Sequence, residues 1–571
     1  MDEFKGLITR DIIIKDAIKK MTGSSENKFI AGLAVVVDEK NKVTGVLTDG
    51  DIRRGISKGI SIDSKIEEIA NFNPILVNKN LTKNQMAKDI MEQCARRNKS
   101  YKKYSKIILI KDDGTFYDVI LASDIFDDLI ESKTVVIYGM GYIGLTLAAV
   151  LANADLSVIG IDKNKKIIED LKKGKPHFFE NGLESLLNST LQNNSINFET
   201  NSNNINGDVY IVCVGTPFDK VNKTADLSSI NIASEEISKK LKTGDLVIFR
   251  STVPIGTIRE KVKPVLEKSG LTAGEDFYLS FAPERTIEGK AIEELYLLPQ
   301  IIGGINKKSI EVTAKLFNKI TKTIIEVDSL EEAELVKLIN NSFRDLVFSF
   351  SNEVAFICDY YNINAFKLIE SANDGYKRNP IPKPSPGVGG MCLVKDPFLY
   401  SLSKSVFNDK ADLGTVSRKI NSYGATYVYK KIMNFCDIAK KDLKDMKIFM
   451  IGIAFKGMPE TSDIRDSVAV DLINMLPAQK NIFVKDFVVG KKEIENIKCN
   501  YIENINDGFR NADVVLVMNN HYKNNQINIM DVFKLTNNPF MFFDGWNMFN
   551  QDEIEKNKNC FYSTMGYITK R

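Results

Sequence analysis

In "SPGVGGMCLV", residues 385–394, Gly387, Gly389 and Gly390 run directly up to Met391 and Cys392. Glycine reaches backbone angles closed to other residues and lets a ligand approach the main chain, which raises the question of why the backbone around one thiol is so free of side chains. The structural answer is a small buried hydrophobe in a loop. A second constellation lies in "TVVIYGMGYIGLTLAAVLANADLSVIGID", residues 134–162. There an apolar strand enters Gly139-x-Gly141-x-x-Gly144, with Tyr142 and Ile143 between the last two glycines, and the next strand ends on Asp162. Three glycines permit a tight turn and bring pyrophosphate to a helix N-terminus, while an acid about 20 residues on accepts both ribose hydroxyls. The cofactor expected is NAD, because Asp162 repels a 2′-phosphate; Lys163, Lys165 and Lys166 directly after it are the feature that would admit NADP.

These groups need a frame. Strands and helices alternate to about residue 325, and "VYIVCVGTPFD" (209–219) and "DLVIFRSTVPIGT" (245–257) each end an apolar strand in a Thr-rich turn. Open α/β sheets bind ligands at such carboxyl ends, which points Thr216 and Thr252 toward a nicotinamide cleft, ordinary turn chemistry being the alternative. From 329, "SLEEAELVKLINNSFRDLVFSFSNEVAFICDYY" has helical spacing with acids in its first turn, and Lys337 and Asn341 share one face of it. A second α/β unit begins near 446, where a strand enters a loop holding Lys456 and Arg465. Two doubly wound units joined by a helix leave a cleft of the kind that binds small molecules.

Ahead of these, "AVVVDEKNKVTGVLTDGDIRRGI" (34–56) and "IILIKDDGTFYDVILASDIFDDLI" (107–130) form a weak internal repeat of strand, turn, strand and helix, with a final helix expected to end near Ser132. "GVLTDGDIRR" is similar to the signature of CBS domains, regulatory modules that pair and often hold an adenine nucleotide. Thr48 and Asp51 would hold its phosphate and ribose; on their own physics they serve equally well as a helix cap. The second repeat carries Leu121 and Asp124 at the matching positions, so one competent nucleotide site per chain is expected. With 77 basic and 74 acidic residues no broad basic face for nucleic acid is implied. The seven cysteines form no CxxC pair, which argues against zinc knuckles and a disulfide framework; no metal site is expected. The charged start and the lack of a long apolar run lead to the expectation of a cytoplasmic protein without membrane contact.

"GMGYIG", "GTP", "STVPIGT", "APERTIEG", "AELVKLINNSFRD", "GVGGMCLVKDP" and "IAFKGMPETSDIRDS" in this order resemble the UDP-glucose/GDP-mannose dehydrogenase family over residues 134–571. The resemblance implies two Rossmann-like α/β domains joined by a long helix and preceded by an α/β CBS-like pair. The boundaries expected are 1–132, 133–327 for NAD, 328–440 for the central dimerisation region with the Cys loop, and 441–571 for the UDP-sugar. It implies oxidation of a sugar primary alcohol to a carboxylate in two NAD-dependent steps, with Cys392 as nucleophile. Lys337 would favour its thiolate and stabilise an oxyanion together with Asn341. Asp396 and Thr252 would hold the hydrolytic water, and Glu284 and Glu288 would complete the acid–base set. Lys456, Arg465, Arg378 and the Gly389 backbone would bind the UDP-sugar. Such an arginine can reach a partner subunit's site in this family, which implies a homodimer or higher oligomer. Met391 stands where many relatives carry His, so that position supplies no base. "NSFRD" and "APER" look closest to the UDP-N-acetylhexosamine branch, meaning UDP-N-acetylmannosamine or UDP-N-acetylglucosamine, in surface polysaccharide precursor synthesis. UDP-glucose is the alternative substrate. An adenine-nucleotide sensor with an inactive dehydrogenase region and a one-step hydroxyacid dehydrogenase are the readings of other classes.

Overall fold

The structure is a computed structural model that describes residues 6–21, 32–97, 104–122, 125, 133–219, 222, 224–403, 412–477 and 479–569. Asp124 and the helix expected to end near Ser132 lie outside the described residues. The chain forms two compact units, Met1–Lys133 and Thr134–Arg571.

The first unit is built on the repeat. Leu7–Ile8 runs parallel to Leu33–Val37, which pairs antiparallel with Val43–Thr48; Leu76–Asn78, Lys106–Ile110 and Phe116–Leu121 repeat this, with an irregularity at the matching place in each hairpin. Val35, Val37 and Val46 of one hairpin share a core with Ile108 and Val119 of the other. Both copies bury one β-branched face, which neither could cover alone. Thr48 and Asp51 close a capping box on the helix Asp49–Ser57: the Asp51 N–H donates to Thr48 Oγ1, and the Thr48 N–H and hydroxyl donate to Asp51 Oδ2 at 3.0 and 2.6 Å. Arg54 takes the other Asp51 oxygen at 2.6 Å. Of the two readings of this pair, the cap is the one the geometry displays.

In the second unit an eight-stranded sheet runs in the order Ile324–Glu326, Gln300–Gly304, Tyr278–Phe281, Leu246–Phe249, Val209–Val212, Thr134–Tyr138, Ser157–Ile161, Ile196–Glu199. All neighbours are parallel except Tyr278–Phe281 and Gln300–Gly304. Its central strands are buried end to end, as helices on both faces require. Order reverses beside Thr134–Tyr138, the place where such sheets take a ligand. A helix over Leu330–Tyr361 follows, roughly 48 Å long at 1.5 Å per residue. Ser329 caps it through the Glu332 N–H, and Asn362 ends it in the left-handed conformation. The second sheet orders Asn500–Tyr501, Ile482–Lys485, Ile448–Ile451, Val514–Val517, Phe540–Asp544, Cys560–Thr564 and Tyr567–Ile568, parallel but for the last pair.

Between the two sheets, the helices Met391–Ser401 and Leu413–Asn421 pack on the long helix. A buried polar lock fixes them: Arg418 meets Asp345 at 2.6 Å, Asn421 donates to the Asp345 carbonyl at 2.9 Å, and Asn352 donates to Asn421 at 2.9 Å. The same groups hold the glycine run, since Arg418 donates to the Val388 carbonyl at 3.2 Å and the Ser385 N–H donates to Asn352 at 2.9 Å.

Candidate functional site

A cleft of about 460 Å³ opens at the carboxyl ends of the first sheet and lies wholly within the second unit. At one end it is lined by Gly139, Gly141, Tyr142, Ile143, Asp162 and Lys163, at the other by Thr216, Ser251, Thr252, Glu284, Glu288, Lys337, Cys392, Lys395 and Arg465.

The first end is made by the turn. Gly139 holds a φ of +91°, and a Cβ on Gly144, behind the cleft, would lie 1.8 Å from the Gly139 carbonyl. A Cβ on Gly141 would meet nothing within 4 Å, so the space above the helix Tyr142–Asn153 is open at its first turn, and no side chain caps that helix. Free N–H groups beside open space are what a pyrophosphate needs. Asp162 accepts the Met140 N–H at 2.9 Å through one oxygen and the Asn164 N–H at 2.9 Å through the other. It fixes the loop and keeps lone pairs for a ribose. These residues fit a dinucleotide.

At the other end, Thr216 donates to the Thr252 carbonyl at 2.6 Å and Ser251 to the Val214 carbonyl at 2.6 Å, joining the two Thr-rich turns. The turn after Thr252 is tied to the long helix by Glu334, which accepts the Gly256 and Ile258 N–H groups at 2.5 and 2.9 Å. Lys337, one turn further along, enters the cleft.

Cys392 sits in the first turn of the helix Met391–Ser401 and is exposed through the cleft mouth; the other six cysteines are buried. Protein mass behind the thiol and the nearby Asp396 carboxylate push its pKa up, against the pull of Lys337 and Lys395. The cation expected to favour the thiolate is present but outweighed, because dehydration of the thiolate costs more than two lysines return. Asp396 is fully buried, accepting from Asn341 at 2.5 Å and from Lys395 at 2.6 Å. Asn341 therefore faces Asp396 and does not line the cleft.

Two glutamates differ sharply. Burial pushes Glu284 up, but the Arg250 guanidinium, the Thr286 N–H and Lys337 together bring its carboxyl below the ordinary value. It pairs with the buried Arg250 and accepts the Arg285 and Thr286 N–H groups at 2.7 and 2.8 Å. Glu288 is pushed up to about 7 by burial and by Asp463, which Arg465, Lys456 and Thr461 only partly offset. The Arg465 guanidinium donates to both Asp463 oxygens, at 2.8 and 2.6 Å in its shortest bonds, and lies 4.0 Å from Glu288. Lys456 donates to the Glu288 carbonyl at 2.6 Å, and burial lowers its pKa to about 8.

Besides Asn341 and the buried Asp396, three further expected residues stand outside the cleft lining. Gly389 is buried and does not line the cleft: a Cβ there would lie 2.3 Å from the Asp466 carbonyl, and one on Gly390, at φ +88°, 2.8 Å from the Phe455 ring. These two glycines thus allow the second α/β unit to approach the backbone closely. Arg378 is exposed, with its guanidinium 5.9 Å over Tyr376, and Lys456 is not a lining residue. Lys395, Ser251 and Glu180 were not anticipated. Lys395 was findable as one turn beyond Cys392; Glu180 had no pattern around it. Among the described residues no cluster could hold a metal ion, and no helix is long and apolar enough to cross a membrane.

Residues 133–321 match the NAD binding domain of the UDP-glucose/GDP-mannose dehydrogenase family, 331–423 its central domain and 449–551 its UDP binding domain; 7–58 match a CBS domain. The chain is 35% identical over 355 residues to a UDP-N-acetyl-D-mannosamine dehydrogenase of Campylobacter jejuni, covering 60% of this chain and 84% of the relative. It is 30% identical over 436 residues to one of Methanocaldococcus jannaschii, covering 74% and 94%. The solved UDP-D-ManNAc dehydrogenase of Pyrococcus horikoshii superposes with a TM-score of 0.68 at 27% identity, over 76% of this chain and 99% of that one. The UDP-N-acetyl-mannosamine dehydrogenase of Staphylococcus aureus gives 0.64 at 30% identity, over 76% and 98%.

Proposed function

The chain belongs to the UDP-glucose/GDP-mannose dehydrogenase family, NAD-dependent oxidoreductases acting on nucleotide sugars, and from that premise we propose that it oxidises the C6 alcohol of a UDP-N-acetylhexosamine to the uronate through a covalent adduct on Cys392. The observation that carries the reading is one cleft holding the glycine loop and Asp162 at one end and Cys392, Lys337, Thr252 and Glu288 at the other. UDP-N-acetylmannosamine is the first substrate proposed, because relatives that share most of their length with this chain carry that name. UDP-N-acetylglucosamine is the second.

NAD, held by the glycine loop and Asp162, would supply the hydride acceptor for each of the two oxidations. The first leaves an aldehyde at C6, its hydroxyl proton passing to Glu288. The Cys392 sulfur then bonds to C6 and its proton goes to the new oxygen, giving a thiohemiacetal whose oxygen Lys337 stabilises. The second oxidation removes that hydroxyl proton and the C6 hydride, leaving a thioester. Water held by Thr252 adds to it, with Asp396 acting on that water from behind through Lys395, which lines the cleft; the C–S bond breaks, and the thiol recovers its proton. One alcohol and one water yield a carboxylate, two NADH and three protons. Glu284, its oxygens committed to Arg250 and two N–H groups, supports this as a fixed charge. Arg465 exchanges Asp463 for the diphosphate, with Lys456 behind it.

We place domain boundaries at 132/133, 327/328 and 440/441, and a cytoplasmic homodimer through the long helix, whose outer Phe343, Phe350 and Ile357 are exposed. Arg378, outside its own cleft, is the residue offered to the partner. An adenine nucleotide remains the effector class proposed for the N-terminal pair. The test is NADH formed per substrate across UDP-N-acetylmannosamine, UDP-N-acetylglucosamine, UDP-glucose and GDP-mannose. Two NADH and highest turnover with an N-acetylated UDP-sugar are expected; one NADH with a released aldehyde, or none, overturns the reading.

A further inference from the structure

Glu180 lies in "GKPHFFENG", residues 174–182, between the helices Lys165–Lys172 and Leu183–Gln192, and its side chain is only 6% exposed. A buried carboxylate needs donors for its lone pairs, and here they come from two distant loops. One oxygen accepts the Tyr142 hydroxyl and, at 2.7 Å, the Gly289 N–H; the other accepts the Ala291 N–H at 2.9 Å. The Tyr142 oxygen itself accepts the Gly289 N–H at 2.9 Å. Tyr142 belongs to the glycine loop, and Gly289 directly follows Glu288.

The third loop of the cleft joins from the other side. The Phe179 N–H donates to Ser462 at 3.4 Å, and Lys456 donates to the Glu288 carbonyl at 2.6 Å. Gly289, at φ +92°, has the Glu460 carbonyl 2.3 Å from where a Cβ would stand. The backbone at 288–291 is thus held between a carboxylate on the cofactor side and a lysine on the sugar side.

We propose that Glu180 is a positioning residue that ties the glycine loop to the Glu288 backbone, so that the cofactor site and the proton-transferring carboxyl are set in place by one buried side chain. The proposal rests on the reading of Glu288 as an acid–base group. Glu288 faces Asp463, Arg465 and Lys456 from the second α/β unit, Tyr142 from the glycine loop and Cys392 from its helix. Loss of the tether lets Glu288 move toward water, where its dehydration weakens.

The test compares wild type with Glu180→Ala, Glu180→Gln and Tyr142→Phe. Calorimetry with NAD alone, without any sugar, is expected to show affinity falling about tenfold in Glu180→Ala and less in Glu180→Gln, which keeps one acceptor oxygen. In turnover, kcat is expected to fall at least tenfold with a smaller change in KM for the UDP-sugar, and the acidic limb of kcat/KM to move below that of wild type. Glu180→Gln and Tyr142→Phe should be non-additive in NAD affinity when combined. A folded Glu180→Ala with NAD affinity within twofold of wild type and an unmoved limb overturns the proposal, as does additivity should Glu180→Ala fail to fold. Weakened NAD binding with an unmoved limb also overturns it, leaving only a structural role. If wild type forms no NADH with any nucleotide sugar, the reading of Glu288 fails, while the NAD measurement still decides the tie to the glycine loop.

Discussion

Cys392 and Glu288 pose the same question from opposite sides, because the surroundings of each raise its pKa and so favour the neutral form. For the thiol this delays nucleophile formation until a proton acceptor is in place. Cys392→Ala is expected to cut net acid formation by about a thousandfold or more, while NAD affinity by calorimetry stays within twofold. For Glu288 the consequence is a pH dependence of known sign. The ionised carboxylate accepts the proton, so kcat/KM should rise about tenfold per pH unit below about 7 and flatten above it, and Glu288→Gln should lose that limb. Asp162 governs the other end: Asp162→Ala should raise NADP turnover relative to NAD, since the carboxylate that repels a 2′-phosphate is gone while Lys163 still lines the cleft. A ratio unchanged in that variant would count against Asp162 as the discriminator.

Among the elements, those with a strong period were legible in sequence. The strand–glycine–helix turn at 134–162 and the helix from Ser329 carry signals that neighbours in space do not alter: apolar runs, a cap, and acids in the first turn. The glycine run at 387–390 signals a close approach to the backbone, and at Gly389 and Gly390 it is Asp466 and Phe455 that make one. One-dimensional spacing says that a backbone must be approached closely, but not by what. Asn341 and Glu180 show the same limit, since their partners lie 55 and 109 positions away in Asp396 and Gly289. The polar lock on the long helix was equally invisible, and it has a measurable cost. Asp345→Ala leaves the buried Arg418 charge unpaired, which should remove about 3–5 kcal/mol from the unfolding of this unit and lower its thermal midpoint, whereas a double change of both residues to leucine should recover much of that loss.

On the scale of the molecule, every residue lining the cleft belongs to the unit that begins at Thr134. Residues 134–571 alone should therefore keep kcat within about twofold of the full chain at saturating substrates; a tenfold fall would show that the first unit takes part in turnover itself. In that first unit Thr48→Ala should cost about 1 kcal/mol as a lost cap, read from its thermal midpoint, whether or not a nucleotide binds. The distribution of sulfur is the remaining whole-chain feature, six thiols enclosed and one open at the cleft. A small alkylating reagent applied to the folded protein should attach once per chain, at Cys392, with a rate that climbs as alkalinity increases and with loss of activity in proportion to label taken up. Cofactor or sugar in the cleft should shield it. The chain thus carries its own stoichiometric reporter, by which the fraction of intact sites in any preparation can be counted by mass spectrometry.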